Sequence, residues 1–270
     1  MSQDGTPTTI DRKTFLRTLA AAGVSMATLA TLGDLAPAVA DAHAAPHGLT
    51  PGDRAILVAA EIAEALAVTT YTTIIQCAPF FRRLAADDQG YLRAAREEEM
   101  SHYRLEETAT GTPTPFTRFF YPHGMFHRAQ TTLNTLVTLE DAFIAAYLVG
   151  VRNFSQPALR VTAARIMGIE SDHRTLARVV APGVAAKDGG PIERITGLQG
   201  VAESVDPPNN NGYERTLGWS EIAQAVAALM PFVDRQAAAK AGFNTHVSYS
   251  FHPFTPTLPT ALGAFHSFNG

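Results

Sequence analysis

Glutamate and histidine recur in one arrangement twice along this 270-residue chain. Glu64 precedes Tyr71 by seven residues, and Glu99 and His102 follow, three apart; Glu140 precedes Tyr147 by seven, and Glu170 and His173 follow, again three apart. Side chains three apart on a helix share a face, so each Glu-x-x-His pair offers a carboxylate and an imidazole to one point in space. Two such pairs and two further glutamates make six ligands, enough for two metal ions. Carboxylates are hard donors that stabilise oxidised ions, and imidazole favours the later divalent metals.

Chance alone gives about 0.4 Glu-x-x-His matches for thirteen Glu and nine His, so a single match is weak. Two matches, each behind a Glu-x6-Tyr, are a stronger signal, and no other His has a Glu three positions before it. Placement supports the reading. Glu64 interrupts a helical stripe of Leu57, Ala60, Ala67, Tyr71, Ile74 and Ala78, and Glu140 interrupts one of Leu133, Leu136, Phe143, Ile144, Tyr147 and Val151. A bare carboxylate in such a stripe is costly without a partner or a metal. Tyr71 and Tyr147, with their duplicated offset, are expected to hydrogen-bond ligand carboxylates; as plain core aromatics their hydroxyls would still need a buried partner. Glu61 competes with Glu64 because it lies three residues earlier on part of the same face, but only Glu64 repeats the tyrosine offset. Asp141 competes with Glu140 on weaker grounds. Glu97, Glu98, Glu106 and Glu107 are expected to form a solvated face and helix end.

The elements that must position these residues follow from start and stop signals. A first helix is expected from Pro51, after Thr50 and with Asp53 near its positive end, to about Cys77, where Pro79 stops it. A second begins near Asp87 or Asp88, either of which can cap it, and runs to Gly111-Thr112-Pro113. Pro113 to about Arg128, rich in Pro, Phe and Gly, is expected to be a long crossover. A third helix spans about Ala129 to Phe154 and a fourth about Pro157 to Val180. After a long loop from Pro182 to Gly218, a fifth is expected over Ser220 to Ala241, with the stripe Ile222, Val226, Leu229, Met230 and Val233. The tail from Phe243 shows no clear period.

With 46% hydrophobic residues and a net charge of −4, the chain can bury one core and carries no basic footprint for nucleic acid. Its single cysteine, Cys77, excludes an internal disulfide framework and is expected as a small buried side chain. No Gly-x-Ser-x-Gly elbow or glycine-rich phosphate loop supports a hydrolase or nucleotide reading. Residues 1–44 differ in kind. Arg12, Lys13 and Arg17 precede a small, apolar stretch from Leu19 to Leu32, and Ala38-Val39-Ala40 or Ala42-His43-Ala44 supplies small residues for cleavage near residues 40–44. Asp11 to Arg17 resembles a twin-arginine export signal with Lys13 in place of the second arginine, and the general secretory route is the alternative. Periplasmic or secreted protein is therefore expected, with membrane contact only through this segment if it is uncleaved.

The six donors and two tyrosines resemble those of the ferritin-like superfamily, and the exported, five-helix layout is similar to its desiccation-related branch. The resemblance covers about Pro51 to Val180. It implies an all-α fold: a ferritin-like four-helix bundle over residues 45–180 with a long crossover between helices two and three. Residues 181–270 would add the long loop, a fifth helix and an irregular tail packed on the bundle. It also implies two iron ions, or manganese, or a mixed pair, with Glu99 and Glu170 bridging, Glu64 and Glu140 terminal, and one of His102 and His173 on each ion. Redox chemistry with oxygen or peroxide follows, of the ferroxidase, peroxidase or catalase kind. The absence of a Cys-x-x-Cys module disfavours built-in electron delivery, and the extra loop and tail would obstruct a storage cage. A homodimer is the assembly left open. The competing expectation is a non-catalytic protective or structural bundle.

Overall fold

A computed structural model describes residues 48–184 and 217–257. The expected export segment, most of the loop from Pro182 to Gly218 and the end of the tail lie outside them. Four long helices dominate: α1 over Pro51–Cys77, α2 over Ala86–Thr110, α3 over Ala129–Asn153 and α4 over Pro157–Val184. Helix α1 packs along α2 and α3 along α4, and the two pairs join through α1 against α3 and α2 against α4. The chain thus folds as the all-α bundle its patterning predicts.

Local chemistry explains the helix ends. Thr50 Oγ1 accepts the Asp53 amide at 3.0 Å and the Asp53 carboxylate receives the Thr50 amide at 3.4 Å, a reciprocal cap before Pro51. Asp53 also accepts the Ser155 amide at 2.7 Å and the Ser155 hydroxyl, which pins the start of α1 to the α3–α4 turn. Neither Asp87 nor Asp88 caps α2. Its cap position is Ala85, and both aspartates sit inside the first turn, where they still face the positive end of the helix dipole. Gly111, at φ 72°, ends α2 in a left-handed conformation that costs glycine little. Gly150 serves contact instead: a Cβ there would lie 2.9 Å from Phe154 and 3.3 Å from Ala163, so glycine lets α3 approach α4.

The segment outside the bundle is more ordered than its sequence suggests. The crossover contains strand β1, Arg118–Pro122, and the tail contains strand β2, Phe243–Ser250. They pair antiparallel, Arg118 opposite Ser250 and Pro122 opposite Phe243, with a register shift between Phe119 and Tyr121. The expected fifth helix is two: α5 over Ile222–Val233 and α6 over Arg235–Lys240, divided at Asp234, whose Oδ1 caps α6 through the Ala237 amide at 2.9 Å. Ser220 does not cap α5; the Gln224 side chain instead accepts the Ser220 and Glu221 amides.

Helix α5 packs on α1, α3 and β1. Helix α1 is therefore buried around its circumference, from Ala55 through Ile74 with few interruptions. Its buried threonines bond back to their own helix, Thr69 to Ala65 at 2.7 Å and Thr70 to Leu66 at 2.8 Å, so no hydroxyl is stranded. Beyond β2 the tail runs along α2. Arg104 donates to the Phe254 carbonyl, Arg96 lies over the Phe254 ring, and Glu97 accepts the Thr257 amide at 2.9 Å. Glu97 is thus a tail anchor rather than part of a free charged face. Cys77, expected inside, is exposed, although Ile74 and Ala78 on either side of it are buried in the core.

Candidate metal centre

All six predicted donors meet at the centre of the four-helix bundle, one from α1, two from α2, one from α3 and two from α4. Glu64, Glu99, His102 and Glu170 form one group, and Glu99, Glu140, Glu170 and His173 a second; within each group one donor atom per residue lies within 4.8 Å of the others. Glu99 and Glu170 belong to both. Their oxygens are divided between the histidines. His102 Nδ1 lies 3.5 Å from Glu99 Oε2 and 3.2 Å from Glu170 Oε1, whereas His173 Nδ1 lies 3.0 Å from Glu99 Oε1 and 3.4 Å from Glu170 Oε2. Glu64 Oε2 stands 3.6 Å from His102 Nδ1.

The arrangement fits a pair of ions. Glu64 Oε2, both oxygens of Glu99 and of Glu170, Glu140 Oε2 and both Nδ1 atoms are buried without a hydrogen-bond partner, a costly set unless something else satisfies it. Metal bonds of about 2.0–2.2 Å place neighbouring donors about 3.0–3.5 Å apart, and the nitrogen–oxygen distances here run from 3.0 to 3.6 Å. The imidazoles turn the right atom inward: His173 faces the centre with Nδ1, and its Nε2 lies 2.8 Å from Glu98 Oε2. A carboxylate on the outer nitrogen fixes the proton there and leaves the inner lone pair free for a metal.

Without metal, protons must do the neutralising. Burial, reinforced by the Glu99 and Glu170 charges, pushes Glu64 and Glu140 well above the usual carboxylate range. Burial alone would raise Glu99 too, but the neighbouring imidazolium groups hold it below. Burial opposes charge on both histidines, yet the Glu64 carboxylate beside His102 and the Glu99 carboxylate beside His173 hold them well above the ordinary value. Cations entering this site would displace those protons.

The tyrosines cross between the halves. Tyr71 of α1 donates to Glu140 Oε1 of α3 at 2.7 Å, and Tyr147 of α3 donates to Glu64 Oε1 of α1. The carboxylate oxygen left on each glutamate is the one that faces the centre. Glu61 stands outside both groups. It is fully buried, accepts Thr110 Oγ1 at 3.4 Å, and burial with the nearby Glu106 and Glu107 raises it to about 9. Asp141 is also outside, paired with Arg174 at 2.9 Å.

Two residues assigned to a solvated face belong to the centre. Glu98 orients His173, as above. Glu106 is 1% exposed and its Oε1 lies 2.7 Å from Tyr147 Oη. A phenol has one proton to give, so Tyr147 cannot donate to Glu64 and Glu106 at once. Burial raises Glu106 to about 8 and also holds Glu64 well above the carboxylate range, so a carboxyl proton from either acid can make the second contact with Tyr147 Oη. The signal for Glu106 was present: it lies seven residues after Glu99 and four after His102, on the ligand face of α2, but the adjacent Glu107 gave the pair the look of a charge run. Of the four, Glu107 alone stays at a half-buried helix end, paired with Arg104 at 2.6 Å.

A family model for a ferritin-like domain matches residues 52–181. No curated protein and no solved structure matches the chain.

Proposed function

Because residues 52–181 belong to the ferritin-like superfamily, we propose that this chain is an exported dinuclear-metal protein that performs redox chemistry with oxygen or peroxide. Glu64 and His102 would hold one ion, Glu140 and His173 the other, and Glu99 and Glu170 would bridge them. The observation that carries this reading is the division of each bridging carboxylate between the two histidines, with every inward atom unpartnered. Four carboxylates also balance the charge of two divalent ions. Iron or manganese, when bound, supplies electrons to dioxygen or peroxide. The protein's own groups do the rest. Tyr71 and Tyr147 restrain the terminal carboxylates, Glu98 holds His173 in its ligating tautomer, and Glu106 places a second carboxyl one hydroxyl away from Glu64.

Elemental analysis after loading with ferrous or manganous ion tests the reading, with two equivalents per chain expected. Far less than one equivalent would overturn it. Protein that holds two ions yet reacts with neither oxidant would instead be the protective bundle. The order of basic, apolar and small-residue zones in residues 1–44 supports export with removal of that segment; N-terminal sequencing of exported protein that finds Met1 or Ser2 would refute that part.

A further inference from the structure

An apolar cavity of about 30 Å³, partly open to solvent, lies between α1, α2, α3 and α4 and reaches the first half of the centre through Tyr147, the partner of Glu64. Its walls include Ala60, Ala63, Ala146, Ala163 and Ile166, with Ile222 of α5 as a further side, and Glu106 and Tyr147 lie at its polar end. Ile222 is outside residues 52–181, so the appended segment helps to enclose it. Ala146 and Leu159 are half-buried and mark the solvent side.

The cavity is poor in hydrogen-bonding capacity. Besides Glu106 and Tyr147 the only polar side chain among the described lining residues is Thr162, whose hydroxyl is already bonded to the Ala158 carbonyl at 2.9 Å. Tyr147 Oη and Glu106 Oε1 are engaged with each other, which leaves Glu106 Oε2 as the one buried polar atom without a partner. A water needs about two to four polar partners to occupy such a space, and apolar cavities that lack them stay dry and take up apolar guests such as xenon. Hydrogen peroxide has two hydroxyls and would lose most of its hydration on entry. Dioxygen is small, uncharged and apolar, and loses almost none.

We propose that this cavity is a dioxygen site, and that it feeds the centre from the Glu64–His102 side. The proposal rests on the dinuclear reading above and selects dioxygen over peroxide as the oxidant that reaches the centre this way. Crystals of the metal-free protein under xenon pressure should show xenon between Ala60, Ala146 and Ala163. Ala146→Leu, at a half-buried position able to accept a larger side chain, should abolish that xenon while metal stoichiometry stays at two. The same variant should slow oxidation of the ferrous protein by dioxygen about tenfold and leave oxidation by hydrogen peroxide unchanged. Ile222→Ala, which enlarges the cavity, should keep xenon and the dioxygen rate; it serves as the check if Ala146→Leu folds poorly. Wild-type protein that binds two ions but no xenon would overturn the dioxygen site alone, as would equal slowing with both oxidants. Xenon bound by a protein that cannot hold metal would instead sink the dinuclear reading, and the feeding route with it.

Discussion

The two halves of the candidate metal centre have the same potential donors and different surroundings. Around Glu140 and His173 the neighbours lock the site: Glu98 holds the outer nitrogen of His173, and a buried Asp141–Arg174 pair lies one residue beyond each of the two ligands. Around Glu64 and His102 the equivalent positions are Ile169 for Glu98, Ala65 for Asp141 and Tyr103 for Arg174. This half instead carries Glu61 and Glu106, both buried, where the second motif has Val137 and Ala177. One half is therefore fixed by the Glu98–His173 and Asp141–Arg174 pairs, and the other carries two further buried carboxyl groups and borders the apolar cavity through Tyr147 and Glu106. The duplicated donors set what can bind, and the unduplicated neighbours set how each half behaves.

The largest change should come from breaking what the halves share. Glu99→Ala removes an oxygen from both groups and should abolish binding of both ions, whereas His102→Ala or His173→Ala should each remove one; metal titration by elemental analysis separates the cases. Loss of a single ion in Glu99→Ala would end the bridging assignment. Glu98→Gln comes next. It weakens the partner of His173 alone and should lower affinity at that half about 10- to 100-fold, with the other half unchanged, as competition with a chelator would show.

The tyrosines sharpen the comparison through stability. Tyr71→Phe strands one oxygen of Glu140, at a cost of about 1–3 kcal/mol for a buried polar group left unsatisfied. Tyr147→Phe removes the partner of both Glu64 and Glu106 and should cost more, measured by denaturant unfolding of the metal-free protein. A further test concerns pH. Glu61 and Glu106 are raised from 4.5 to about 9 and about 8, so the folded state binds more protons than the unfolded state between those values. Their contribution is full below about 4.5 and is lost as pH rises through 8 and 9. The melting temperature of metal-free protein should therefore fall over that interval, and Glu61→Gln with Glu106→Gln should flatten the decline. Glu61→Gln alone should leave two ions bound.

The sequence by itself determined the four helices and which residues stand at their centre. Those features are local: a cap at Thr50, a stop at Pro79 or Gly111, and ligands held at three- and seven-residue intervals, which helical geometry converts directly into a shared face. Tertiary structure decided the rest, because it depends on what lies across from each side chain. Glu106 is buried because Tyr147 of α3 faces it, and Glu98 acts on the centre because α4 brings His173 within reach. Helix α1, apolar nearly all round, is buried on the face left open by its bundle neighbours because α5, more than 140 residues later, covers it. Strands β1 and β2 need each other to form, and neither segment has a period strong enough to announce its partner. Charge runs misled for the same reason: adjacent glutamates look alike in sequence, but successive residues on a helix point about 100° apart, so Glu106 can enter the core while Glu107 stays at its edge.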